Sequence, residues 1–501
     1  MWLTVTYFQV DALEHDALEV LSMVRSTKNA FAPANRIPPE VLSLIPDYLE
    51  DNKDKDLIVL THVCRSWREA FISRSLLWTY LDFTNVEKTR VYIEHSKYAP
   101  LEICLGPPYE EEAFLLAIPH IHRLKTILVH GMPDRLLPIL AQHFSCPLPL
   151  LDELEIDFSY EYNIPTLPHG IFNGVLSSLH KLTLMSVITT LPWRDLSNLT
   201  TFNLYDAPED KILLTQLLDF FESAPCLRHV ELHYSLPSSS NAPTERVVPL
   251  PHLKELSIEA YQPHSILLDH LSIPAGVSLR LEFGLNGEHP PISSYLPESL
   301  GCLRNLSHIT AANLCFGLGE VGIQLSGPSG MLHIFGEWDC HNTNPRASIF
   351  MQFLGELDIS RTRWLTVTVY RNLLYDPARF TKSTLYRTLH RMGDLRTLML
   401  NQCEDLPFIH TLNPDKNPSK IVLCPRLEEI ILNAYDRDLF HVDELVNMAE
   451  ERALRGAKLP AITIDINDVL LENEVFRLEK HVSRVKYEFD GVEPEWDTLP
   501  S

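Results

Sequence analysis

The stretch Gly317-Leu318-Gly319-Glu320-Val321-Gly322 invites a chemical reading, because three glycines at that spacing let a backbone approach a pyrophosphate closely. That chemistry needs a helix directly afterwards, with its N-terminus facing the phosphates. Here Ile323-Gln324-Leu325-Ser326 comes next, and Gly327, Pro328 and Gly330 end any helix within about two turns, so a flexible loop is expected instead. The 22 histidines raise metal binding, and the densest cluster is Cys340-His341 with His333. No second pair at zinc-ligand spacing accompanies it, which makes these surface or hydrogen-bonded loop residues. The cysteines beside prolines (Cys146-Pro147, Pro225-Cys226, Cys424-Pro425) read as small buried apolar groups, and Glu110-Glu111-Glu112 as a solvated face. The patterns GxxxxGK[ST], HExxH and GxSxG are absent. Nothing assembles a nucleophile, a base and an orienting group, so no catalytic, cofactor-binding or metal-ligating residue is assigned and no enzyme is expected.

The elements that must position any functional residue are bounded by composition. The 501 residues carry 42 Lys+Arg against 66 Asp+Glu, a formal charge of −24, with 45% apolar residues. That excludes general disorder, and it gives the wrong field for nucleic acid. Its acidic surface favours a basic partner. No run of about 20 apolar residues predicts a membrane span. The opening MWLTVTYFQVDALEHD lacks a basic region and meets Asp11 too early for a signal peptide. The nine cysteines are an odd number without CxxC pairs, which points to reduced thiols. Asn198-Leu-Thr and Asn305-Leu-Ser fit the glycosylation pattern but carry little weight in a chain that is not secreted. A cytoplasmic or nuclear protein is expected.

A short pattern, Leu-x-x-Φ-x-Φ with Φ apolar, recurs from Leu124, Leu151, Leu179, Leu199, Leu227 and Leu253, and again from Leu395 and Leu427. The first six copies start 27, 28, 20, 28 and 26 residues apart. Helical segments are predicted at 133–144, 211–224, 384–392 and 442–456. A strand of this length cannot bury its face alone, but stacked parallel copies with helices outside build a continuous core. The period is that of leucine-rich repeats, although the Asn or Cys expected after each strand is approached only at Asn401-Gln402-Cys403 and Asn433. Between 275 and 380 the pattern blurs. An ordinary α/β domain is the alternative.

Ahead of the repeats, 12–30 fits a short amphipathic helix (Leu13, Ala17, Leu18, Leu21, Val24). From Ile37 a denser helical unit begins. Pro39 suits a first helical turn and Glu40 the positive end of the dipole. Val41, Leu42, Leu44, Ile45, Tyr48 and Leu49 then recur at helical spacing. After a polar turn at 51–56, a second helix is expected to carry Leu57, Leu60, Val63, Cys64 and Trp67 on one stripe, and a third short element ends in Leu76-Leu77-Trp78. About 45 residues bury a modest core alone, so this unit should share its apolar surface with a partner.

Segment 37–80 resembles an F-box, the three-helix module that docks on the Skp-family adaptor of SCF (Skp–cullin–F-box) ubiquitin ligases. The resemblance rests on Ile37-Pro38-Pro39-Glu40-Val41-Leu42, Ile45, Leu49, Leu57, Leu60, the block Val63-Cys64-Arg65-Ser66-Trp67 and, eleven residues after Trp67, Leu77-Trp78. The wording of the segment is similar to that of fungal F-box proteins with a degenerate leucine-rich tail. Pro46 departs from the pattern; inside the first helix it removes one hydrogen bond and is expected to bend or shorten it at a cost of roughly 3 kcal/mol.

The resemblance implies an α/β fold: a small N-terminal three-helix F-box followed by a leucine-rich-repeat-like α/β solenoid with parallel strands inside and helices outside. The boundaries are an extension at 1–35, the F-box at 36–82, a connecting helix and first strand at 83–105, the solenoid at 106–490 and a tail at 491–501. The resemblance also implies a substrate-recruiting subunit of a ubiquitin ligase, binding the Skp-family adaptor, through it a cullin, and an unidentified protein target, with no cofactor, nucleic acid or membrane. Ile37, Pro38, Leu42, Ile45, Leu49, Val63 and Trp78 are expected to touch the adaptor. Leu60, Cys64 and Trp67 are expected to hold the helices together. The alternatives are a non-catalytic repeat scaffold whose helices only cap the solenoid, and an enzyme hidden in 275–380.

Overall fold

The computed structural model describes residues 7–42, 44–45, 53–131, 133–158, 164–167, 171, 176–189, 196–208, 211–237, 246–261, 264–283, 296–297, 299–316, 320–337, 354, 357–369, 382–403, 405–434, 440–466 and 472–488. The chain divides into two compact units, Met1–Leu179 and His180–Ser501.

The first unit opens with the long helix α1 (Tyr7–Ala30), then α2 (Pro39–Leu42), α3 (Lys53–Thr61) and α4 (Arg65–Ser73). A 3-10 turn (Ser75–Trp78) leads into the short strand β1 (Tyr80–Leu81). Then come α5 (Val86–Ser96), β2 (Leu101–Leu105), α6 (Glu111–Ala117), β3 (Leu124–His130), α7 (Pro133–His143) and β4 (Glu153–Asp157). The four strands pair in chain order and all in parallel. Helix α5 starts where Asn85 Oδ1 accepts the Lys88 amide at 2.9 Å, as an N-cap should.

The second unit carries β5 (Lys181–Met185), β6 (Thr201–Tyr205), α8 (Leu214–Ser223), β7 (His229–His233), the short β8 (Val248–Pro249), β9 (Glu255–Ala260), α9 (Ser265–Leu268), the short β10 (Leu271–Ser272) and β11 (Val277–Phe283). Next are β12 (Ala311–Phe316), β13 (Glu320–Gly327), β14 (Gly330–Glu337) and β15 (Trp364–Val369). The chain continues through α10 (Lys382–Arg391), β16 (Thr397–Asn401), α11 (Leu406–Leu412), β17 (Glu429–Ala434), α12 (Val442–Leu454), β18 (Ala461–Ile466), α13 (Glu472–Glu479) and β19 (Arg484–Glu488). From β5 to β11 and from β15 to β19 the main-sheet strands are parallel. Between these runs the spatial order is β11, β14, β13, β12, β15, with β13 antiparallel to both neighbours. The chain is thus mixed α/β, with a large and mostly parallel sheet.

Each copy of the leucine pattern holds one strand. Its first leucine is buried and donates its amide to the carbonyl three residues back, as Leu179 does to Leu176 and Leu199 to Leu196, both at 3.0 Å. In every copy but that of β3 the strand starts two residues later, and in β6 and β7 buried apolar residues alternate with half-buried positions. Directly after the strand the backbone turns left-handed at Ser186, Asp206, Tyr234 and Gln402, with φ between 47° and 53°. The amide of each such residue reaches a carbonyl at or next to the end of the neighbouring strand, as Ser186 does to the Tyr205 carbonyl at 2.9 Å. A backbone bond therefore joins successive copies where the sequence pattern lacks its asparagine.

The blurred stretch between 275 and 380 includes strands β11 to β15. Gly322 lies in β13 rather than in a loop, while Gly317 and Gly319 fall outside the described residues. Cysteines beside prolines diverge: Cys424 is buried, which pushes its thiol up to about 12, Cys226 is half-buried and Cys146 is exposed.

Candidate functional site

The helical unit at 37–80 is built from short pieces. The amides of Val41 and Leu42 both reach the Pro38 carbonyl at 3.0 Å, and the regular helix ends at Leu42. Pro46, Tyr48 and Leu49 lie outside the described residues. The expected second helix is two helices. Cys64 stands between them in extended backbone (φ −162°, ψ 175°) and its carbonyl accepts the Arg68 amide at 3.0 Å. Extended backbone rotates the chain, so the stripe Leu57 to Trp67 does not run along one face.

The interior of this unit is made by Leu42, Leu57, Ala70, Phe71 and Trp78, all buried. Two residues expected on the adaptor-facing surface are therefore interior. Leu42 is 1% exposed, and Trp78 is 3% exposed. Trp78 Nε1 donates to the Phe71 carbonyl at 3.0 Å, and its ring meets Tyr92 and His95 of α5 edge-on at 5.0 and 4.8 Å. An indole seated against its own chain cannot also fill a partner's pocket. The residues expected to form the core are only half-buried: Leu60, Cys64 and Trp67. Trp67 packs edge-on to Phe71 at 5.9 Å, and its buried Nε1 has no acceptor among the described residues.

The solvent-facing side of the unit mixes charged residues (Glu40, Arg65, Arg68, Glu69) with an unusual number of apolar ones. Pro38 and Val63 are exposed as expected, and Ile37 and Ile45 are half-buried. Val41, Leu44, Ile58, Val59 and Leu76 are exposed as well, Val59 and Leu76 at 62%. These five were missed as surface anchors, since helical spacing marks them as apolar but not which side faces the interior. Isolated exposed aliphatics are ordinary, but here five fall within a 45-residue unit.

The unit is tied to the strands beyond it. Burial would push the Asp82 carboxyl up, but Lys88 Nζ at 2.7 Å and the Thr84 amide hold it below the ordinary value. Elsewhere, no group of three or more His, Cys, Asp and Glu side chains that could hold a metal occurs among the described residues. Cys340 and His341 lie outside them. No helix among the described residues is long and apolar enough to cross a membrane.

A family model described as F-box-like matches residues 34–84. No curated protein matches the chain.

Proposed function

We propose that the chain is the substrate-recruiting subunit of an SCF-type ubiquitin ligase, with no catalytic residues of its own. The F-box-like segment docks on a Skp-family adaptor, which links it to a cullin, and the parallel-strand region binds a protein target inside the cell. The carrying observation is the set of apolar side chains at Pro38, Val41, Leu44, Ile58, Val59 and Val63 that their own unit leaves uncovered. Groove recognition of this kind uses aliphatic anchors in water-excluding contact. A leucine-rich-repeat-like reading of the strand region gives the target a place. The strand face opposite the core offers half-buried Tyr205, Glu231, His233 and Glu259, chemistry suited to a basic or polar protein surface. The chain then acts by holding its target near the ubiquitin-charged enzyme, a matter of effective concentration.

The test is co-expression with a Skp-family adaptor. The native chain should co-elute with it, and Val59→Asp together with Val63→Asp should abolish the pair without lowering the melting temperature, because both side chains already face water. Unaltered co-elution of the double variant would remove this surface from the reading. A second reading, helices that only cap the strand region, has one observation in its favour: Trp78 packs on α5 and β1 pairs in parallel with β2, which joins the segment to the first strands. A chain that never binds the adaptor would support it.

A further inference from the structure

Between α1 and the start of α4 lies a cleft of about 230 Å³ whose charged lining is entirely basic. Arg25 of α1 faces it together with Arg65 and Arg68 of α4, and Ser22, Ser26, Asn29 and Cys64 complete the polar rim. Arg65 Nη2 donates to Ser22 Oγ at 2.6 Å, which ties the two helices at the cleft. No carboxylate lines it. In a chain with a formal charge of −24, three arginines gathered around a cleft without an acidic side chain are a departure from the general surface. Helix α4 adds to the field in the same direction. It is nine residues long, no side chain caps its N-terminus, and its first turn has no acidic residue. Its positive end therefore lies at the same cleft as the arginines.

The chemistry of that rim is dominated by donors. Guanidiniums present planar forks that match the oxygens of a tetrahedral oxyanion, and hydroxyls can supply further hydrogen bonds. A carboxylate satisfies one fork, whereas a phosphoryl group carries three oxygens and nearly two charges and can engage several at once. We propose that the cleft between α1 and α4 is an oxyanion site that holds a phosphoryl group. The same chemistry could arrive as free phosphate or on a phosphorylated serine, and the site stands whether or not the adaptor binds.

The full chain tests this by thermal melting, with inorganic phosphate replacing chloride at constant ionic strength. A saturable rise in melting temperature is expected. The double variant Arg25→Gln, Arg68→Gln should lose at least tenfold in apparent affinity while melting like the native chain in chloride, since both side chains are exposed and the Arg65–Ser22 tie is kept. A separate variant, Arg68→Gln, should weaken phosphate on its own. An acetylated glycine–phosphoserine–glycine amide, with its unphosphorylated form as control, separates the sources. Tighter binding of the phosphopeptide than of phosphate assigns a modified protein segment, and the reverse order assigns the free anion. A response that does not saturate, that is unchanged in the double variant, or that the unphosphorylated peptide matches overturns the proposal.

Discussion

Two tryptophans of the F-box-like segment show how much a single side chain's partner decides. Trp78 gives its indole N–H to the Phe71 carbonyl, and Trp67 buries the same group without an acceptor among the described residues. Replacing Trp78 with Phe removes one of the two donors to the Phe71 carbonyl, which keeps the Arg74 amide at 3.2 Å, and removes ring area against Tyr92. The expected loss is about 1–3 kcal/mol. Trp67→Phe removes a donor that makes no such bond and should cost less than half as much, and urea midpoints of the two variants rank them. Both residue types were legible in the sequence as part of a Val-Cys-Arg-x-Trp block followed by Leu-Trp, but their directions were not. Spacing along a helix cannot show which side a later element covers, and α5, arriving from beyond the segment, turns Trp78 inward. Leu42 was misplaced for the same reason.

Single elements combine visible periods with hidden contacts. The repeated leucines marked the starts of the parallel strands because those positions are the buried ones. Ser186, Asp206, Tyr234 and Gln402 share a left-handed backbone without sharing a residue type, so nothing in the sequence flagged them. The glycine-rich stretch 317–322, whose end begins β13, was read as a loop, and the hairpin of β13 and β14 after it was not anticipated. Its alternating residues around Gly327-Pro328-Ser329-Gly330 were the available signal, obscured by a search for helical breaks. Inside that hairpin Gly336 stands opposite Phe283 of β11, and a Cβ there would come within 2.2 Å of the phenyl ring. Gly336→Ala should therefore destabilise by about 1–3 kcal/mol through overpacking. Adding Phe283→Leu should return part of that loss, and a double-mutant cycle by urea unfolding measures the coupling. Strictly additive effects would show that the ring moves aside freely.

At the scale of the molecule, one buried histidine ties stability to acidity. His264, ahead of α9, has no exposed surface, and burial holds its imidazole down to about 3 despite the adjacent Glu282 backbone. Unfolded, it would take up a proton below about 6.5, so the unfolded state binds more protons between those values. Stability should fall as the pH drops from 6.5 toward 3, by up to about 1.4 kcal/mol per unit from this group. Between pH 7 and 5.5 the His264→Phe variant should lose about 1 kcal/mol less than the native chain, read from urea midpoints, and equal losses would refute the assignment. The α/β class and the repeating strands were thus readable in advance, but the excursion through β12 to β14 was not, and it carries its own consequence. Glu282, Phe335, Gly322 and Cys315 occupy one rung across four strands, and β11 and β12 finish at the same level. Cutting out the β13–β14 pair would leave β11 and β12 facing the same way on matching rungs. The pair behaves as a cassette: because it adds strands in twos, the array can lengthen or shorten there without reversing the sense of anything downstream.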